Sequence, residues 1–176
     1  MAGSLIKLDE SIVSSSVSSV ILGDSNWDSS YDVYKLVISN MTMDTDNAQI
    51  RMKFLLSGTA QSTSNYDEAS KNLNSGATFG NNSLDNYQAF VITYAGASTD
   101  SNARFNSTHY LFNMNNPNEF SFMTLEVTSI RQGGTTLEGK QGGGLYSVTE
   151  AHNGVEITAL GGNVTGGIFS LYSLKK

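Results

Sequence analysis

The strongest constraint in this chain is a hydrophobic alternation of period two, confined to short segments. Residues 48–56 show it most clearly. Ile50, Met52, Phe54 and Leu56 point one way, and Gln49, Arg51 and Lys53 the other. Successive side chains leave opposite sides of a β-strand, so such a segment folds as a strand with one buried face. Residues 31–40 repeat the pattern, with Tyr34, Leu36 and Ile38 opposed to Val33, Lys35 and Val37. Val13, Val17 and Ile21, spaced by serines, predict one long serine-rich strand. Further strands are expected over 87–94, 107–114, 120–130, 144–149, 155–160 and 167–174. Within 120–130, Met123, Leu125 and Val127 share a face.

Turn-forming clusters separate these segments: Gly23–Asp24–Ser25–Asn26, Asn115–Asn116–Pro117–Asn118, Gln132–Gly133–Gly134, Asn153–Gly154 and Gly161–Gly162–Asn163. Asn153–Gly154, between two strand patterns, predicts a tight type I′ hairpin. The reading is an all-β fold, an antiparallel sandwich of jelly-roll type with about nine or ten strands. One segment departs from it. Tyr66, Ala69 and Leu73 stand at helical spacing behind Asp67 and Glu68, so a short helix is expected over 65–73. It would sit on a long polar connection, residues 57–86, of the kind that carries function on a sandwich. No boundary divides residues 1–176, which are expected to fold as one domain.

Charged residues make up 15% of the chain, against roughly 25% in soluble domains. Ser, Thr, Asn and Gly take their place, giving a surface suited to neutral polar groups. The net charge of −6 and the scatter of the ten basic residues speak against nucleic acid and anionic membranes as partners. Cysteine is absent, which removes thiolate metal sites, thiol nucleophiles and disulfides. No run of about 18 apolar residues suggests a membrane-spanning helix, and residues 1–10 lack the core of a signal peptide.

Candidate chemistry is sparse. His109 lies mid-strand, and His152 has Glu150 two residues away. Both are read as structural, and no enzymatic activity is expected. Asp44 and Asp46, in Asp44–Thr45–Asp46–Asn47, place alternate acidic oxygens where they could hold calcium. The spacing lacks the glycine and distal glutamate of an EF-hand, and a capped turn is the preferred reading. Otherwise no cofactor is expected. Gly142–Gly143–Gly144 lacks the Lys–Ser/Thr ending of a phosphate loop and leads into a strand. Trp27, the only tryptophan, lies among Asn26, Asp28 and Ser29. It suits stacking on a sugar ring or plugging one end of the sandwich, the plug being preferred. Trp27, Tyr31 and Tyr66 are the candidate ligand-binding residues.

Several motifs together resemble a known group. They are Ser4–Leu5–Ile6–Lys7–Leu8–Asp9, Ser30–Tyr31–Asp32–Val33–Tyr34–Lys35–Leu36, Asp44–Thr45–Asp46–Asn47, Asn65–Tyr66–Asp67, Gly139–Lys140–Gln141–Gly142–Gly143 and the ending from Gly167 to Lys175. The arrangement resembles small virion structural proteins of tailed bacteriophages, notably those infecting marine bacteria, and C-terminal modules of some phage tail fibres. The resemblance implies a jelly-roll-like module, trimeric and exposed on the particle, made in the host cytoplasm. It carries no catalytic residues. Two roles follow as expectations: a fibre or appendage module binding host surface polysaccharide, or a capsid decoration protein binding only other virion proteins. In the second, residues 1–10, apolar at Leu5, Ile6 and Leu8, would form a docking arm.

Overall fold

The computed structural model describes residues 4–76, 79–93, 97–131, 133 and 135–174. Its strands are β1 (Leu5–Val13), β2 (Ser19–Gly23), β3 (Val33–Met43), β4 (Gln49–Leu56), β5 (Thr59–Ala60), β6 (Tyr66–Asn74), β7 (Gly80–Tyr87), β8 (Phe90–Val91), β9 (Phe105–Phe112), β10 (Ser121–Ile130), β11 (Leu137–Tyr146), β12 (Gly154–Leu160) and β13 (Val164–Leu174). They form two antiparallel sheets packed as a sandwich. The larger runs β1-β13-β3-β9-β10-β11-β6-β7, and the smaller β2-β12-β4-β5, with β8 also paired to β4. The order β1-β13-β3-β9 facing β2-β12-β4-β8 is consistent with a jelly roll. The β6–β7 and β10–β11 pairs then widen one sheet.

The core lies between the sheets and follows the alternation. Tyr34, Leu36 and Ile38 from β3, Ile50, Met52 and Phe54 from β4, and Met123, Leu125 and Val127 from β10 are buried in it.

Three expectations are corrected in turn. First, residues 65–73 are not helical: Tyr66–Asn74 is strand β6, paired with β11 along its whole length. Its inward residues include Glu68 and Asn72, so burial with a period of two is invisible to a hydrophobicity pattern. Tertiary pairing overrides the local helical spacing. The connection over 57–86 is therefore largely sheet, and with β5 and β8 it raises the strand count above the expected nine or ten.

Second, the serine-rich stretch is two strands in different sheets. Val17 makes a single bridge to Val164 as the chain crosses over. The alternation restarts out of phase, so Val20 and Leu22 are buried while Ile21 is exposed. Third, Asn153–Gly154 makes no hairpin, because β11 and β12 belong to different sheets. A Cβ on Gly154 would lie 2.5 Å from the Leu22 carbonyl oxygen, so the glycine serves close packing of β12 on β2. Within the stretch expected as a docking arm, Leu5 onward forms edge strand β1, paired with β13 across a bulge between Lys7 and Asp9.

The glycine run falls within β11, not at a strand entrance. A Cβ on Gly142 would meet the Ala69 carbonyl oxygen at 2.3 Å, and one on Gly144 would meet the Phe90 ring at 2.5 Å. The expected strand over 87–94 shrinks to β8, and Tyr94 lies outside the described residues, as do Gln132 and Gly134 of one predicted turn.

Candidate functional site

On β9, β10, β11 and β6, Leu111, Leu125, Lys140 and Glu68 face the core, so their neighbours in sequence face outward. Register turns the outward residues into rows running across the strands. One row is Val37, Thr108, Glu126, Gln141, Lys71 and Asn81. The adjoining row is Lys35, Tyr110, Thr124, Gly143, Ala69 and Ser83. A third is apolar: Val33, Phe112, Phe122 and Leu145, ending at Asp67.

On both sides of the first row the surface sinks into a trough. One basin, of about 460 Å³, is lined by Thr108, Glu126, Thr128 and Gln141 and, on its apolar side, by Val37 and Leu73 among others. A second, of about 500 Å³, shares Thr108, Glu126 and Gln141 and adds Tyr110, Thr124 and Gly142. Gly143, opposite Thr124, and Gly139, opposite Thr128, present no side chain to this face. Gln141 Nε2 donates to Glu126 Oε1 at 3.3 Å, joining the pair that both basins share. Lys35 Nζ stands 5.5 Å from the Tyr110 ring centroid, and Lys71 Nζ donates to Asn81 Oδ1 at 2.6 Å.

Beneath the trough the same strands bury charge. Lys140 Nζ pairs with Glu68 Oε1 and donates to the Val91 carbonyl oxygen, and both side chains are fully enclosed. Glu68 Oε2 accepts from Val91 N at 3.1 Å. The pair thus grips both backbone groups of Val91 in β8 and ties the two sheets. Burial pushes the Lys140 amine below its ordinary pKa, against the pull of Glu68. Nearby, His109 bonds Ser107 Oγ through Nε2 at 2.9 Å, and burial with the Lys140 charge lowers its pKa to about 3.

The residues singled out in the sequence lie elsewhere. Trp27 is half-buried at one end of the sandwich, stacked on Tyr34 at 3.9 Å between centroids, and donates Nε1–H to Asn115 Oδ1 at 2.7 Å. Asn115 Nδ2 donates to the Tyr31 carbonyl oxygen and to Tyr34 Oη, each at 2.6 Å. Burial raises the Tyr34 pKa to about 12. The loop carrying Trp27 and Tyr31 is therefore bound by the chain itself. Tyr66 is fully buried, donates its hydroxyl to the Gln61 carbonyl oxygen and accepts from Phe54 N, and offers no surface to a ligand.

Asp44 accepts from Asn163 N at 2.7 Å and from Asn163 Nδ2 at 2.9 Å, bonds that hold its carboxyl below the usual range. Asp46 accepts from Thr99 N at 3.2 Å. The two carboxylates cap different segments, and among the described residues no group of three or more His, Cys, Asp or Glu is placed to hold a metal.

Ser121 Oγ lies 2.9 Å from His152 Nδ1, and His152 Nε2 lies 3.3 Å from Glu150 Oε1. This resembles a nucleophile relay, but Ser121 and His152 are fully buried, and the ring packs 5.0 Å from both Phe54 and Tyr146. No substrate reaches Ser121 Oγ in this packing, and the trio ties β10 to the segment before β12.

Sequence reasoning missed Thr108, Glu126, Gln141 and Gly143. The available signal was the polar alternation Thr124, Glu126, Thr128 on a strand whose other face is apolar, together with the glycine run that pairs with it. No protein-family profile, curated protein or solved structure matches this chain.

Proposed function

We propose that this chain is a surface module of a tailed-bacteriophage virion, a tail-fibre or appendage component that binds host polysaccharide through the trough on its larger sheet. The trough carries this reading: a built depression lined by hydroxyl, carboxylate and carboxamide groups beside Val37 and Leu73, on a face left open by its own fold. The jelly-roll-like strand order, the low charge and the resemblance to phage virion proteins support it. The resemblance further implies a homotrimer, to be checked by light scattering of the purified protein. Binding of the protein to an array of bacterial surface glycans tests the reading. Absence of binding across such an array and to susceptible cells would remove it.

A second reading, a capsid decoration protein whose partners are other virion proteins, is favoured by the apolar row on the same face. Phe122 in that row is 41% exposed, and Phe120 beside it 40%. Antibody labelling of intact particles separates the two, because a decoration protein covers the capsid and an appendage marks the tail.

A further inference from the structure

We propose that the trough takes an uncharged polysaccharide, its chain crossing Gly143 while the Glu126 carboxylate and the Gln141 carboxamide bond its hydroxyl groups. The inference rests on the polysaccharide-binding reading above and adds the charge class of the ligand and the residues that select it.

Charge placement makes the case. Among the described residues lining the two basins the single basic one is Lys140, and its amine is turned to the core against Glu68. Two lysines flank the basins without lining them: Lys71, across from Gln141, donates to Asn81, and Lys35 lies over Tyr110 at the edge of the second basin. Glu126 stands at the centre, in both basins, on a chain whose net charge is −6. A sulfated or uronate polymer in the basins would meet the Glu126 carboxylate with no exposed cation among the described lining residues, and like charges at contact distance repel. A neutral sugar brings hydroxyl donors, which a carboxylate can only accept, and hydroxyl acceptors, which Gln141 and the threonines at 108, 124 and 128 can meet.

Shape supports the same ligand. Thr124 to Thr128 spans roughly 14 Å of strand, so several sugar units fit along it. At Gly143 the nearest atom to an added Cβ is the Met123 carbonyl oxygen at 3.0 Å, with no other within 4 Å. Gly143 lies at the rim of the second basin, opposite Thr124, and a side chain added there would both crowd that rim and press on the Met123 carbonyl.

The test is affinity electrophoresis of the intact protein through gels containing dextran, mannan or a neutral β-glucan, and in parallel dextran sulfate, alginate or polygalacturonate. The expected result is retardation by at least one neutral polymer, unchanged between about 0.1 M and 1 M salt because no charge pairing is involved. Gly143→Leu and Glu126→Ala should each weaken it about tenfold or more; Glu126→Ala leaves the melting temperature close to that of the parent protein, whereas Gly143→Leu lowers it because the Met123 carbonyl must give way. Should Gly143→Leu unfold the protein, Gln141→Ala together with Glu126→Ala reads the same site. Retardation by acidic polymers alone, or loss of binding in high salt, overturns the inference and leaves polysaccharide binding standing. Retardation untouched by the variants overturns the site. Failure to bind any of these polymers also overturns the inference, and the array of bacterial surface glycans then decides the broader reading.

Discussion

The two faces of β9, β10, β11 and β6 use similar residues for opposite ends. Lys140 points inward and Gln141 outward, Glu68 inward and Asp67 outward, and Leu125 inward with Glu126 outward. On the inner face the polar groups close on one another: Lys140 on Glu68, both on Val91, and His109 on Ser107. On the outer face threonine hydroxyls, a carboxylate and a carboxamide line a depression open to solvent. A buried polar group must be satisfied by the chain that buries it, whereas an exposed one can be lent to a ligand. The contrast therefore separates groups that hold the fold from groups available for binding.

The largest effect should come from breaking the inner face. Lys140→Met leaves the Glu68 carboxylate enclosed without its partner, and a loss of about 3–5 kcal/mol is expected from urea denaturation. Adding Glu68→Met should recover most of it. If the double variant is no better than the single, the pair is not acting as a pair.

A pH series probes the same face. The folded pKa of His109 is about 3, below its unfolded value near 6.5, and burial lowers His152 in the same direction. Such groups bind protons more readily in the unfolded chain. Stability should be full above about pH 6.5 and fall as pH drops toward 3, by at most about 1.4 kcal/mol per pH unit for each histidine. Melting temperatures measured from pH 7 to pH 4 check it. A flat profile would mean that the histidines are not buried as neutral bases.

Trp27→Ala removes a ring that stacks on Tyr34 and bonds Asn115, and should cost about 2 kcal/mol by thermal melting. Glycan binding through the trough should survive it. Loss of binding with the fold intact would move the site to that end of the molecule.

The smallest effect is expected at Asp44. Asp44→Asn exchanges one turn cap for a weaker one, and a change under about 1 kcal/mol is expected. Calcium should leave the melting temperature of the parent protein unchanged. A rise on adding calcium would restore the cation-site reading of Asp44 and Asp46.

Much of the sandwich was legible in the sequence where alternation and burial coincide. Ile50, Met52 and Phe54, and likewise Met123, Leu125 and Val127, sit on the face their spacing indicates. At Leu55 the agreement stops: both Phe54 and Leu55 are buried, while Leu56 turns partly outward as β4 reaches β5. Strand β6 was illegible because its core-facing Glu68 and Asn72 read as surface residues until Lys140 and β11 are brought beside them. The trough was illegible for a related reason. Thr108, Glu126, Gln141 and Lys71 are far apart in sequence and become one row only through register.

By itself the sequence determined that this chain is all-β, which face of β4 up to Phe54 and of β10 enters the core, and that it has no thiol chemistry. These are local properties, because the pleat sets side-chain direction two residues at a time. Tertiary structure alone decided that residues 66–74 join the large sheet, that Val13 and Ile21 belong to different sheets, and that a charged pair lies under the glycines. It also decided that Glu126 and Gln141 share one depression. Those outcomes depend on which strand lies beside which, and pairing between distant segments leaves no periodic mark in either one.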